Sequence, residues 1–216
     1  MISELKNEFE KLKSTSNDFS FLFGNKQIVI SAPHAVPQTR NGDFKFPEPE
    51  TAIFALFFNK KDYPCIIKTK NNSDDSNFDK ISPYKDFLYQ YCLDKNIKFV
   101  LDIHQLSKNK DVEICIGTGR DKFNNLLHLS HLKQKIKNIF ETGGFYTELD
   151  EPFGATGENT VSGFVSRKGI PSIQLEINSK LLFNVTDDEF FKVANCIQNV
   201  LTLIEKELKN ENTDCN

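Results

Sequence analysis

The chain reads as an α/β sandwich built on a mixed, mostly parallel sheet. Short apolar, β-branched runs alternate with stretches of helical spacing, the pattern of strands joined by helices. Three of these runs end in or just before polar clusters: Ser31 to His34, Asp102 to His104 and Glu176 to Asn178. In open α/β sheets ligands sit outside the carboxyl ends of the strands. Polar strand ends are therefore the first functional signal.

The elements follow in order. The first fifteen residues alternate Glu and Lys around Ile2, Leu5, Phe9 and Leu12, a spacing that predicts a helix. QIVIS (27–31) is a β-branched run between turn residues, hence a strand. Ser31 to Pro49 is rich in Pro, Gly and charge and is expected to be a loop, with a helix from Glu50 to Phe58. PCIIKTK (64–70) predicts a second strand, Ser73 to Phe78 a polar turn, and Tyr84 to Leu93 a helix. IKFVLDIH (97–104) is a strongly apolar strand ending in charge, and DVEICIGTG (111–119) a strand that breaks on two glycines. Lys122 to Phe140 is predicted as an amphipathic helix, and the glycine-rich stretch from Gly143 to Asn159 as a long loop. Thr160 to Lys168 reads as a short helix and PSIQLEIN (171–178) as a buried strand. The last helix is marked by a capping box, Thr186 to Glu189. Phe190, Val193, Ala194, Ile197, Val200, Leu201, Ile204 and Leu208 then trace one apolar face. The polar tail beyond about Leu208 is expected to fray.

At 216 residues with no internal repeat or Pro/Gly/Ser linker, the chain is expected to form a single domain over 1–216. Lys and Arg total 27 against 30 for Asp and Glu, a formal charge of -3, which gives no electrostatic case for nucleic acid. No apolar run is long enough to span a bilayer, so no membrane partner is expected. The N-terminal stretch MISELKNEFEKLKS is amphipathic and unlike a signal peptide. Five cysteines (Cys65, Cys92, Cys115, Cys196, Cys215) without CxxC spacing read as reduced thiols in a cytoplasmic protein. In that compartment the formal glycosylation acceptor at Asn184 carries no meaning.

Four histidines form two pairs. His34 follows Ser-Ala-Pro, and His104 closes Leu-Asp-Ile-His. Catalytic zinc sites often use two imidazoles and one carboxylate, and the intervening loop offers Glu48 and Glu50. Asp102, two residues before His104 on the same strand face, could orient that imidazole or bind metal itself. His128 and His131, at i, i+3, are also compatible with metal, but no carboxylate neighbours them on the helix face, which favours a structural role. Glu176 stands out in the apolar strand IQLEI, as an ion-pair partner or a general base. Only three of the basic residues are Arg, and Arg40, Arg120 and Arg167 all fall in or beside the polar loops. The planar guanidinium grips carboxylates two-pronged, so these are candidate substrate contacts.

Together the segments SAPHAVPQTRNGDFKFPEPET, LDIHQLSKNKDVEICIGTG and NTVSGFVSRKGIPSIQLEIN resemble the N-formylglutamate amidohydrolase family. That family is similar to the zinc-carboxypeptidase-like hydrolases, including the aspartoacylase and succinylglutamate desuccinylase group. The resemblance implies a three-layer, phosphorylase/hydrolase-like sandwich with a mixed sheet flanked by helices and Zn2+ at the strand ends. It implies His34 and His104 as metal ligands, Glu48 as the carboxylate ligand and Glu176 as the general base. Carboxypeptidase-like chains usually place the carboxylate three residues after the first histidine, where Pro37 stands here. The ligand must then come from the following loop, so Glu50 stays open beside Glu48.

The expected activity is zinc-dependent hydrolysis of the amide of an N-acyl amino acid resembling N-formyl-L-glutamate. Arg40 or Arg167 would hold the substrate carboxylate, with Asn178 as a further substrate contact. The alternatives are a carboxypeptidase-like enzyme acting on small peptides and a non-catalytic binding protein on the same fold.

Overall fold

The computed structural model describes residues 1–15, 17–120, 122–182 and 186–214, of 211–214 the backbone alone. Cys215 and the acceptor at Asn184 lie outside the described residues. Among the described residues there are ten strands: β1 (Phe19–Leu22), β2 (Ile28–Ala32), β3 (Gln38–Arg40), β4 (Asp43–Lys45), β5 (Cys65–Lys68), β6 (Ser73–Asp74), β7 (Phe99–Leu106), β8 (Ile114–Gly117), β9 (Thr147–Leu149) and β10 (Ser172–Asn178). The helices are α1 (Ile2–Lys13), α2 (Pro49–Asn59), α3 (Pro83–Asp94), α4 (Lys133–Thr142), α5 (Val161–Ser166) and α6 (Asp187–Asp214).

Seven strands form one mixed sheet in the order β1-β5-β2-β7-β10-β8-β9. Its centre, β5-β2-β7-β10, is parallel throughout, while β1 and β8 join antiparallel. The pleat sorts side chains between two cores. Ile28, Ile30, Phe99, Leu101, Ile103, Ile173, Leu175 and Ile177 point to the face covered by α1, α2, α4 and α6. Val29, Ile66 and Val100 point to the other, covered by α3 and α5. This is the expected three-layer α/β sandwich. The same alternation puts Ser31, Asp102, His104, Gln174 and Glu176 on the α3/α5 side.

Four predicted segments differ. Residues 31–49 are not all loop: Asn41 and Gly42, at φ 52° and 87°, turn β3 back into β4 as a two-residue hairpin. The polar turn at Ser73 contributes β6, which pairs with β3 in a second, three-stranded sheet. The helix expected over 122–140 begins only at Lys133; before it runs a 3-10 segment, Leu127–Leu132, and Leu127 has φ 53°, outside helical geometry. The long loop after Gly143 contains β9, and β1 was not foreseen. The capping box forms: the Thr186 N–H donates to Glu189 Oε2 (2.7 Å) and the Glu189 N–H to Thr186 Oγ1 (3.3 Å). The helix it opens continues to Asp214, past the expected fraying at Leu208. Cys65, Cys92, Cys115 and Cys196 are free and buried. Among the described residues no helix is long and apolar enough to cross a membrane.

Candidate metal centre

Four side chains meet where the central strands end. His34 lies two residues past β2, Glu48 stands at the residue before α2, and His104 and Glu176 face each other across the β7–β10 ladder. Pro49 occupies the first helical position, where its missing N–H costs nothing, and this fixes Glu48 at the helix entry. The Glu48 N–H donates to the His34 carbonyl at 2.8 Å, which closes the intervening loop onto the strand end. All four residues are nearly inaccessible: His34 3%, Glu48 5%, His104 2% and Glu176 6% exposed.

The two imidazoles turn Nδ1 inward and Nε2 outward. His34 Nε2 lies 2.9 Å from Asp75 Oδ1, and His104 Nε2 3.0 Å from Asp102 Oδ2. Asp102 is itself held by the Ser31 hydroxyl, which donates to Oδ1 at 2.8 Å. A carboxylate at Nε2 draws the proton there and leaves the Nδ1 lone pair free. The two Nδ1 atoms are 3.1 Å apart, and Glu48 reaches both, with Oε1 3.0 Å from His34 Nδ1 and Oε2 3.4 Å from His104 Nδ1. Two lone pairs and a carboxylate facing one another in a buried site call for a cation between them. These separations also suit one. Zinc bonds of about 2.0–2.1 Å in tetrahedral array hold their ligand atoms about 3.3–3.4 Å apart. The donor set, two histidines and a glutamate, fits zinc. Among the described residues it is the one such group of three ligating side chains.

The electrostatics agree. Burial would raise the Glu48 carboxyl, but the charges and hydrogen bonds of His34 and His104 hold it well below the usual range. Burial would lower the His104 pKa, but Asp102 and Glu48 outweigh it and hold it well above the usual value; the same two carboxylates that draw a proton to this ring would equally favour a bound cation beside it. Glu48 is further oriented by the Lys45 ammonium (2.6 Å to Oε1) and the Gln105 N–H (2.9 Å to Oε2). Glu176 differs. Burial pushes its pKa up, opposed by the charge of His104 and reinforced by that of Glu48. Gln174 donates to its Oε1 at 2.8 Å.

The centre opens into a cavity of about 560 Å³. Its lining includes His34, Glu48, His104, Gln174 and Glu176, with the cations Arg40, Lys45, Lys110 and Arg120. Other sequence candidates fall elsewhere. Glu50 sits in the first turn of α2, beside Ile2 and Lys6, outside the histidine pair; the structure thus brings Glu48 to the imidazoles. Arg167 is not among the cavity residues: its guanidinium donates to the carbonyls of Thr156, Gly157 and Gly163 and lies 4.5 Å from the Phe123 ring centroid. Asn178 is fully buried, and its amide donates to the carbonyls of Lys110 and Val112. Both are held by backbone carbonyls in this structure. Arg40 does line the cavity, although two of its nitrogens hold Asp75 Oδ2, each at 2.7 Å. Arg120 also lines it, clamped by the carbonyls of Asp150 and Pro152. A Cβ on Gly154 would come within 2.7 Å of the Arg120 side chain, so that glycine gives the arginine its seat. Sequence reasoning missed Asp75, whose only mark is a polar turn.

No family model matches the chain, and no curated protein matches it. Among solved structures it is similar to a bacteriophage poly-gamma-glutamate hydrolase, at 16% identity over 97% of each chain and a TM-score of 0.53. It is also similar to a gene product of Agrobacterium tumefaciens, at 12% identity over 88% of this chain and 97% of that one, with a TM-score of 0.60. Likeness at these identities is likeness of fold.

Proposed function

We propose that the chain is a zinc-dependent amidohydrolase that cleaves the amide of an N-acyl amino acid, of the N-formyl-L-glutamate type, into the free amino acid and a carboxylic acid. The observation that carries this reading is the convergence of His34 Nδ1, His104 Nδ1 and the Glu48 carboxylate beside a second, separately held carboxylate, Glu176. The resemblance of its sequence motifs to those of N-formylglutamate amidohydrolases supports it.

His34, Glu48 and His104 would hold the ion. Zinc bound there supplies Lewis-acid polarisation of the scissile carbonyl and lowers the pKa of the attacking water. Glu176 takes the proton from that water and returns it to the leaving nitrogen. With Gln174 donating to Oε1, the Oε2 atom is left for this exchange. A carboxyl raised by burial is the better matched to such a task near neutral pH. Arg40 offers its remaining guanidinium edge to the substrate carboxylate, and Arg120, which also lines the cavity, assists the oxyanion or a further carboxylate.

A second reading, a peptidase for small acidic peptides, is favoured by the four cations in the cavity lining. The bacteriophage neighbour is, by name, a hydrolase of poly-gamma-glutamate. One experiment tests both. Zinc content is measured on the purified protein, and release of amino acid is followed from N-formyl, N-acetyl and N-succinyl glutamate and from glutamyl peptides. Close to one zinc per chain, with turnover lost on chelation, is expected. Zinc-loaded protein inert on the whole panel would refute the proposal.

A further inference from the structure

A buried lysine stands behind the cavity, unused by the chemistry above. Lys85, in the first turn of α3, is fully buried. Its ammonium donates to the carbonyls of Asp79 and Asn159, each at 2.6 Å. The Phe164 ring centroid lies 5.4 Å away. Burying an ammonium is costly, and neutral carbonyl acceptors offset less of that cost than a carboxylate would. What this arrangement achieves is a junction, because the two carbonyls belong to different loops.

Both loops shape the centre. The first, 75–79, contributes Asn77 and Phe78 to the cavity lining; the second contributes Ala155, Thr156, Gly157 and Thr160. A second clamp runs beside the lysine: Asn77 Oδ1 accepts the Val161 N–H at 2.7 Å, at the start of α5. Within the first loop, the Asn77 N–H donates to Asp75 Oδ1 at 3.0 Å, and the Asp75 N–H donates to Asp79 Oδ2 at 2.9 Å. Asp75 Oδ1 is the atom that meets His34 Nε2. A continuous set of hydrogen bonds thus leads from the Lys85 ammonium, through the loop it grips, to the carboxylate that aims an imidazole.

We propose that Lys85 is a positioning residue for the metal centre. By fixing the 75–79 loop against the chain entering α5, it holds the Asp75 carboxylate where His34 must keep Nδ1 turned towards Glu48 and His104. The inference rests on reading that centre as a zinc site. A lysine that only packed α3 against α5 would affect stability and nothing else.

The test uses Lys85→Met, which removes the ammonium and keeps most of the apolar stem. Zinc affinity is measured by chelator competition well below the melting temperature, and the visible spectrum of the Co2+-substituted protein reports ligand geometry. Lys85→Met is expected to weaken zinc by about 10- to 100-fold, the range seen when groups behind metal ligands are lost, and to shift the cobalt spectrum. Ile197→Ala, in α6 on the other face of the sheet, serves as the control: it lowers the melting temperature and leaves both readouts unchanged. Zinc affinity within about twofold of wild type in folded Lys85→Met, or an equal loss in the control, would overturn the role. Should Lys85→Met not fold, Asn77→Ala opens the other clamp and decides: weaker zinc supports the junction, unchanged zinc overturns it. Wild-type protein that binds no zinc would instead sink the zinc reading itself. That outcome is distinct from normal zinc in the variant.

Discussion

Two pairs of histidines sit close together in this molecule, and they differ in what stands behind them. His34 and His104, 70 residues apart in sequence, meet at 3.1 Å between Nδ1 atoms. Each has a fully buried carboxylate at Nε2, Asp75 and Asp102. His128 and His131 are neighbours on the 3-10 segment, at a spacing the sequence made compatible with metal. There His131 Nε2 meets Glu207 Oε1 at 2.7 Å, with its side chain 46% exposed. Proximity is common to both pairs. The first pair is distinguished by orientation: a buried carboxylate holds each ring so that the Nδ1 atoms converge, and Glu48 closes a set that could hold a metal ion.

The sharpest break of that comparison is removal of each pair. His34→Ala with His104→Ala is expected to abolish stoichiometric zinc, read by elemental analysis, while circular dichroism shows a folded but less stable protein. Stability falls because Asp75 and Asp102 lose their buried partners. His128→Ala with His131→Ala keeps the full zinc content. Zinc persisting in the first double variant would dissolve the distinction.

Next in size is the carboxylate that is not a ligand. Glu176→Gln keeps shape and the contact with Gln174, so zinc and fold survive. The proton acceptor is gone, and kcat is expected to fall by roughly 10² to 10⁴, with KM little changed. Near-normal kcat in a zinc-loaded variant would remove Glu176 as the base.

Asp75→Asn probes orientation directly. It leaves an acceptor oxygen but removes the charge that holds the His34 proton on Nε2. Zinc affinity is expected to drop by about 10- to 100-fold, whereas Glu207→Gln, behind His131, leaves it unaltered. Chelator competition on both variants reads the contrast.

These outcomes bear on what the sequence reveals. The strand ends were legible because the pleat is written in the residues: Phe99, Leu101 and Ile103 against Val100, Asp102 and His104, and Ile173, Leu175 and Ile177 against Gln174 and Glu176. Glu48 over Glu50 was legible in principle, since Pro49 marks the first helical position and places Glu48 just outside it. Asp75 was not legible. Its role exists only because the 71–79 segment returns across the sheet end, where β6 pairs with β3. The setting of Arg167 was not legible either: its place beside the polar loops marks it as a candidate substrate contact, and only the fold shows backbone carbonyls and an aromatic ring around its guanidinium.

Arg40 and Arg167 extend the comparison to the proposed substrate contacts. Arg40→Met is expected to raise KM for a substrate with a free carboxylate by about tenfold, or about 1.4 kcal/mol. The estimate is modest because this side chain is 38% exposed and already shared with Asp75. Arg167→Met leaves KM alone and lowers the melting temperature, because it frees the carbonyls of Thr156, Gly157 and Gly163. The reverse pattern would return Arg167 to the substrate.

The smallest effect belongs to the outer histidine pair. His131 and Glu207 join the 3-10 segment before α4 to the last helix by an exposed contact at 2.7 Å. Exposed ion pairs contribute little, because water screens the charges and two side chains must be ordered to meet; the measured range is about 0–1 kcal/mol. His131→Ala is therefore expected to shift stability by no more than about 1 kcal/mol in denaturant titration, with zinc content and kcat at wild-type values. Sodium chloride at high concentration should erase even that difference, since screening acts on exposed pairs first. A loss of zinc or activity in His131→Ala would show that orientation by a buried carboxylate is not what separates the two pairs, and the contrast drawn from His34 and His104 would fail with it.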